Sequence, residues 1–107
     1  MTTFNDREKA AENKYAHDQE RQFLVKARRT KLMGLAAARR MNLSGAAADD
    51  YAKSLIAATI SSNEDEDIVA QVKADLSARG VTASEQELKE ELFKISQVAK
   101  EQIAKEA

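Results

Sequence analysis

The chain has 107 residues, with 17 Lys and Arg against 18 Asp and Glu, a net charge of −1, and no Cys, Pro or Trp. That length holds one small domain with a modest core, and the missing Cys excludes disulfides, thiolate metal sites and a Cys nucleophile. Gly is 3, aromatics are 5%, and Ala, Glu, Lys, Gln and Leu dominate, which disfavours strands and points to an all-α bundle.

The first helical pattern runs from about Phe4 to about Met41. Asn42 to Gly45 breaks it, and Ser44 is placed to cap a second helix over about Gly45 to Ile60. That helix carries Ala48, Tyr51, Ala52, Leu55, Ile56, Thr59 and Ile60 at helical spacing. Ser61 to Asn63 interrupts again. Ser62 or Asn63 then caps a third helix through about Ala78, with Ile68, Val69, Val72 and Leu76 as its apolar stripe. Arg79-Gly80 is a stop signal. Ser84 followed by Glu87 reads as a capping box for the last helix. Its apolar face is Leu88, Leu92, Ile95, Ala99 and Ile103. Glu85–Lys89, Glu90–Lys94 and Glu101–Lys105 form i,i+4 pairs that solvate its other faces. The expected architecture is a four-helix bundle with short connections.

Charge is unevenly placed. Residues 1–40 carry ten Lys/Arg and five Asp/Glu, a net +5, and residues 41–107 carry seven and thirteen, a net −6. This suggests self-complementary packing or a partner with a patterned surface. A general nucleic-acid binder would be more basic overall.

The first helix poses a question of its own. From Thr2 to Glu20 its only sizeable apolar residues are Phe4 and Tyr15. At about 100° per residue, Phe4, Ala11 and Tyr15 fall within about 40° of one another. Leu24, Leu32 and Leu35, with Val25 and Ala27, centre on roughly the opposite side. Two tasks follow for one helix. Residues 21–107 form the bundle, and residues 1–20 form an arm, frayed or flexible when alone, whose narrow stripe is buried on a partner in helix-in-groove fashion.

Catalytic signatures are missing. The chain has no Gly-rich phosphate loop and no nucleophile elbow, and the lone His17 cannot build a histidine metal cluster. Asn63, Asp65 and Asp67 alternate like the start of a calcium loop, but Ile68 stands where Gly is needed and Ala74 where Glu is needed. They read better as an acidic helix N-terminus. No enzyme activity, cofactor or metal is expected. The basic stretch Lys26, Arg28, Arg29, Lys31, Arg39 and Arg40 supports the alternative of a nucleic-acid- or anionic-ligand-binding module, which few aromatics reinforce. The charged N-terminus lacks a signal-peptide core and no run approaches the roughly 18 apolar residues of a span, so a soluble, cytoplasmic protein is expected.

TTFNDREKAAENKYAHDQE, followed by FLVKARRTKLMGLAAARRMNLSGAAADDYAKSLI, resembles the zeta subunit family of alphaproteobacterial ATP synthases over essentially the whole chain. Phe4, Asp6, Arg7, Glu8, Lys9, Glu12, Lys14, Tyr15, His17 and Asp18 match the family's opening motif, and Ala11 shares their stripe. The resemblance implies a four-helix bundle with an inhibitory segment, here roughly Met1 to Gln19. That segment inserts into the catalytic head at an α/β interface near the γ shaft and blocks ATP hydrolysis. Phe4 and Tyr15 would be the apolar anchors, and the flanking charges would fix register. The resemblance also implies α, β and γ subunits as partners, a position at the inner membrane through ATP synthase without direct insertion, and a monomer when free. Two departures fall in the bundle: GLAAARR where many relatives carry a Trp, and SSNEDEDI where many have a Pro-Gly-Asp turn.

Overall fold

A computed structural model describes residues 2–62 and 64–106, with side chains from residue 19 onward. Four helices follow in order: α1 (Thr2–Arg40), α2 (Gly45–Thr59), α3 (Asp65–Ala78) and α4 (Glu85–Glu106). No strand occurs among the described residues. At about 1.5 Å per residue α1 is about 58 Å long, and the molecule measures 67 × 26 × 22 Å. α1 packs against α2 and α4, and α3 closes the far side against the same two. α1 and α3 touch across the centre, whereas α2 and α4 do not meet. The architecture is the expected all-α bundle. The expectation of a frayed or flexible arm falls on residues 1–20, whose side chains through Asp18 lie outside the described residues.

Local chemistry sets the boundaries. α1 ends where Asn42 takes a left-handed φ of 60°. The Leu43 amide then donates to the Ala38 carbonyl at 2.8 Å and the Asn42 amide to Arg39 at 3.1 Å. α3 ends the same way. Gly80 has φ 75°, the Val81 amide donates to Leu76 at 2.9 Å, and the Gly80 amide donates to Ser77 at 3.0 Å. Both are Schellman caps, which satisfy the orphan carbonyls of a last turn. In each, the residue after the left-handed position, Leu43 or Val81, packs on the core. The Ser84 hydroxyl accepts from the Glu87 amide at 3.1 Å, as the capping box requires.

Two expected caps differ. Ser44 sits at the N-cap of α2 in extended conformation but makes no side-chain cap bond. The N-cap position of α3 is Glu64: the Ser62 hydroxyl donates to the Asp67 carboxylate, and Asn63 lies outside the described residues. Asp65, Glu66 and Asp67 fill the first turn of α3, where the helix dipole favours negative charge.

The core joins Met33, Ala37 and Met41 of α1 to Leu55, Ile68, Val69, Val72, Leu76, Leu88 and Leu92. The stripes expected for α3 and α4 are the buried ones, with Ile95 half-buried. α2 buries Ala48, Ala52, Leu55 and Thr59, but Ile60 is 69% exposed. α1 departs most. Its buried side is Arg29, Thr30, Met33, Gly34, Ala37, Ala38 and Met41, whereas Leu32 and Leu35 are only half-buried and Leu24 is 43% exposed. The large leucines flank the contact; the small residues make it. A Cβ at Gly34 would lie 2.7 Å from the Ala52 Cα, so α1 and α2 cross nearly backbone to backbone there. On an ideal helix this buried side is centred about 80° from Phe4, Ala11 and Tyr15, a quarter turn rather than a half.

Buried hydroxyls are satisfied. Thr30 donates to the Lys26 carbonyl at 3.0 Å and Thr59 to the Leu55 carbonyl at 2.8 Å. Tyr51 donates to Asp75 at 2.7 Å, and Gln71 donates to the other oxygen of that carboxylate at 3.0 Å, tying α2 to α3. Burial and this hydrogen bond push the Tyr51 phenol above its ordinary range.

Candidate interaction surface

Eleven positions carry the partner-binding expectation: Phe4, Asp6, Arg7, Glu8, Lys9, Ala11, Glu12, Lys14, Tyr15, His17 and Asp18. All lie on the backbone of α1, and their side chains lie outside the described residues. The described part of α1 begins polar and exposed. Gln19 through Leu24 are all exposed, with Phe23 at 66%. The first buried positions among the described residues are Arg29 and Thr30, a little over two turns beyond the expected start of the bundle at residue 21.

From there the arginines of α1 act as struts. Arg28 grips Glu106 with two bonds, at 2.8 and 2.9 Å, and donates to Gln102 at 2.7 Å. The bidentate fork fixes geometry as well as distance. It holds the Glu106 carboxyl below its ordinary pKa, against a smaller opposing effect of desolvation. Arg40 reaches Glu91 at 2.7 Å and Glu87 at 3.4 Å. Arg29 is buried and holds Asp65 of α3 at 2.7 Å. The two charge halves of the chain therefore meet inside the molecule: α1 supplies the cations, and α3 and α4 supply the anions.

The alternative nucleic-acid reading relied on Lys26 through Arg40 acting as one surface. Arg28, Arg29 and Arg40 are engaged by carboxylates. The exposed remainder, Lys26, Lys31 and Arg39, points in three directions more than about 75° apart on an ideal helix. The run is thus divided between internal struts and scattered surface charge. Asp65 and Asp67 of the calcium-like run are engaged by Arg29 and Ser62. No cluster of three or more His, Asp or Glu suited to a metal is found among the described residues.

One concave feature adjoins the exposed end of the bundle. A cleft of about 600 Å³ opens between α1 and α4. Arg21, Lys26 and Lys100 line its rim, Arg29 and its partner Asp65 lie at one wall, and Val25 and Phe93 provide apolar surface. On α4 its residues are Phe93, Ser96, Gln97 and Lys100, spaced i, i+3, i+4 and i+7 beside the buried stripe. Sequence reasoning left this site unseen, since Phe93 and Lys100 carry no local signal until α4 is set against α1.

Residues 1–102 match ATPase inhibitor subunit zeta. The chain belongs to that family. Comparison with curated proteins and with solved structures gave no match. The zeta match spans the whole of α1, α2 and α3 and most of α4, so it includes the eleven arm positions and the struts together. Among the described residues no helix of this zeta-family chain is long and apolar enough to cross a membrane.

Proposed function

We propose that this zeta-family chain restrains ATP hydrolysis by inserting residues 1–20 of α1 at a catalytic α/β interface of the ATP synthase head, near the γ shaft. The observation that carries the reading is the family match over residues 1–102, which takes in both the DRE-to-AHD motif and the bundle behind it. Phe4 and Tyr15 would anchor the helix in an apolar groove. Asp6, Arg7, Glu8, Lys9, Glu12, Lys14, His17 and Asp18 would set its register by charge. The mechanism is steric and conformational, and no bond is made or broken by this chain.

The bundle supports the reading by giving the arm a fixed base. Residues 21–107 would remain folded outside the groove, with Arg28, Arg29 and Arg40 fastening α1 to α3 and α4. A 20-residue helix reaches about 30 Å, long enough to bury its tip deeply while the bundle stays at the surface. The complex would sit at the cytoplasmic side of the inner membrane through ATP synthase, without insertion into the bilayer.

The test is ATP hydrolysis by the isolated head, titrated with the full chain and with the chain lacking residues 1–19. The full chain is expected to inhibit, and the truncated chain to lose inhibition while keeping the circular-dichroism spectrum of a folded bundle. Equal inhibition by both would overturn the arm mechanism.

A further inference from the structure

We propose that the cleft between α1 and α4 is a second docking point for the ATP synthase head and receives a carboxylate-bearing segment of it. The inference rests on the inhibitor reading above and extends it from the arm to the bundle.

Charge supplies the first argument. Arg21, Lys26 and Lys100 on the cleft rim are exposed, and among the described residues none of them is in an ion pair. Elsewhere along α1, Glu106 answers Arg28 and Glu87 with Glu91 answers Arg40, while Lys31 and Arg39 stand singly on other sides of the helix. Among the described residues the one acid that lines the cleft is Asp65, which Arg29 already holds at 2.7 Å. No described residue of the bundle supplies the complementary charge, and a carboxylate-bearing partner segment would.

Direction supplies the second. At about 100° per residue, positions 4, 11 and 15 fall in one arc of about 80° with positions 22, 25 and 29. The first three are Phe4, Ala11 and Tyr15; the last three, Gln22, Val25 and Arg29, form the α1 wall of the cleft. α1 is assigned as helix from Thr2 to Arg40, so on an ideal helix the arc of positions 4, 11 and 15 continues into that of positions 22, 25 and 29. From position 15 to position 22 the distance is only about 10 Å. A partner surface that lies along the arm meets the cleft next.

The apolar surface distinguishes a protein segment from a free anion. Phe93 is 67% exposed and faces the half-buried Val25 across the opening. A small anion would use the cations and leave this ring in water. A peptide segment covers the ring and presents carboxylates to the rim, the usual division between apolar centre and charged edge in an interface.

Binding of the full chain to the isolated head, followed by association and dissociation rates at several salt concentrations, tests this. Lys100→Glu and Phe93→Ala lie on α4, away from the arm, and both positions are exposed. Lys73→Glu, exposed on α3, is the control. Lys100→Glu is expected to slow association by about 3- to 10-fold at low salt, with the difference fading as salt rises. Phe93→Ala is expected to speed dissociation several-fold, and Lys73→Glu to match the parent. Parental rates for both cleft variants, while the parent chain binds, would overturn the cleft contact and leave the arm mechanism standing. Absence of binding by the parent chain would overturn both. Tripolyphosphate that shifts the Lys26 and Lys100 amide resonances, with head binding unchanged in Lys100→Glu, would mark a small-anion site and overturn the proposal. A dimer that Phe93→Ala dissolves, with head binding unchanged in that variant, would do the same in favour of a second copy.

Discussion

α1 meets α2 and α4 in opposite ways. Against α2 it presents Gly34 to the backbone of Ala52, and the two helices cross with no room for a methyl group. Against α4 it presents long cations, bridged by carboxylates at Arg28 and Arg40 and left open at the cleft. Small residues let backbones approach, exclude water and fix the crossing. Long charged ones hold helices apart, and where the bridging acid is missing a concave surface remains. The same helix thus builds a near backbone-to-backbone contact on one side and an open cleft on the other.

The sharpest way to break this contrast is to add volume on the tight side. Gly34→Val should destabilise by about 3 kcal/mol, because the new Cβ meets main chain that cannot turn aside. Thermal melting should show a fall of ten degrees or more in a domain of this size. A loss below about 1 kcal/mol would mean that α2 slides freely over α1. On the strut side the effects are smaller. Arg40→Met keeps the apolar stem but drops the contacts to Glu91 and Glu87, and should cost about 1 kcal/mol, the upper end for a partly exposed pair. Urea unfolding in low and in high salt would separate the charge contribution from packing, since only the former is screened.

The smallest effect concerns acid. Arg28 lowers the pKa of Glu106 relative to an unpaired carboxyl. Its stabilising contribution is therefore fully present above the unfolded value of about 4.3 and is lost as pH falls through the lower folded value. Between pH 5 and pH 2.5, amide exchange in the last turn of α4 should accelerate before the core opens. Unchanged protection at Ile103 to Glu106 across that range would show that Arg28 does not secure the helix end.

Much of this bundle was legible from punctuation. Asn42, Gly80 and the Ser84–Glu87 box mark helix ends through backbone geometry that few residues tolerate, and each stands within a residue or two of its expected boundary. The stripes of α3 and α4 were legible because Ile, Leu and Val dominate them. The buried side of α1 was not, because Thr30, Gly34, Ala37 and Ala38 contribute little hydrophobicity each, while Leu24, Leu32 and Leu35 draw the eye to a side about 160° away on an ideal helix. Burial there follows from closeness of approach, which a hydropathy pattern does not encode. Nor does any local signal pair Arg28 with Glu106, 78 residues away. Of the three i,i+4 pairs expected on α4, Glu85–Lys89 closes at 3.3 Å, while Glu90 accepts from Gln86 instead. The arm was read from its motif and its narrow stripe, and the cleft beside it needed two helices placed together.

The uninterrupted course of α1 from Thr2 to Arg40 has a mechanical meaning. An arm that docks as a helix keeps a set phase to the bundle through α1. One residue inserted between Gln22 and Lys26 would swing the arm through about 100° and advance it by about 1.5 Å. Seven inserted residues would lengthen it by about 10 Å but return it to within about 20° of its starting azimuth. Load on an arm docked in that form would pass as torque along the helix toward the contacts of Arg28, Arg29 and Arg40.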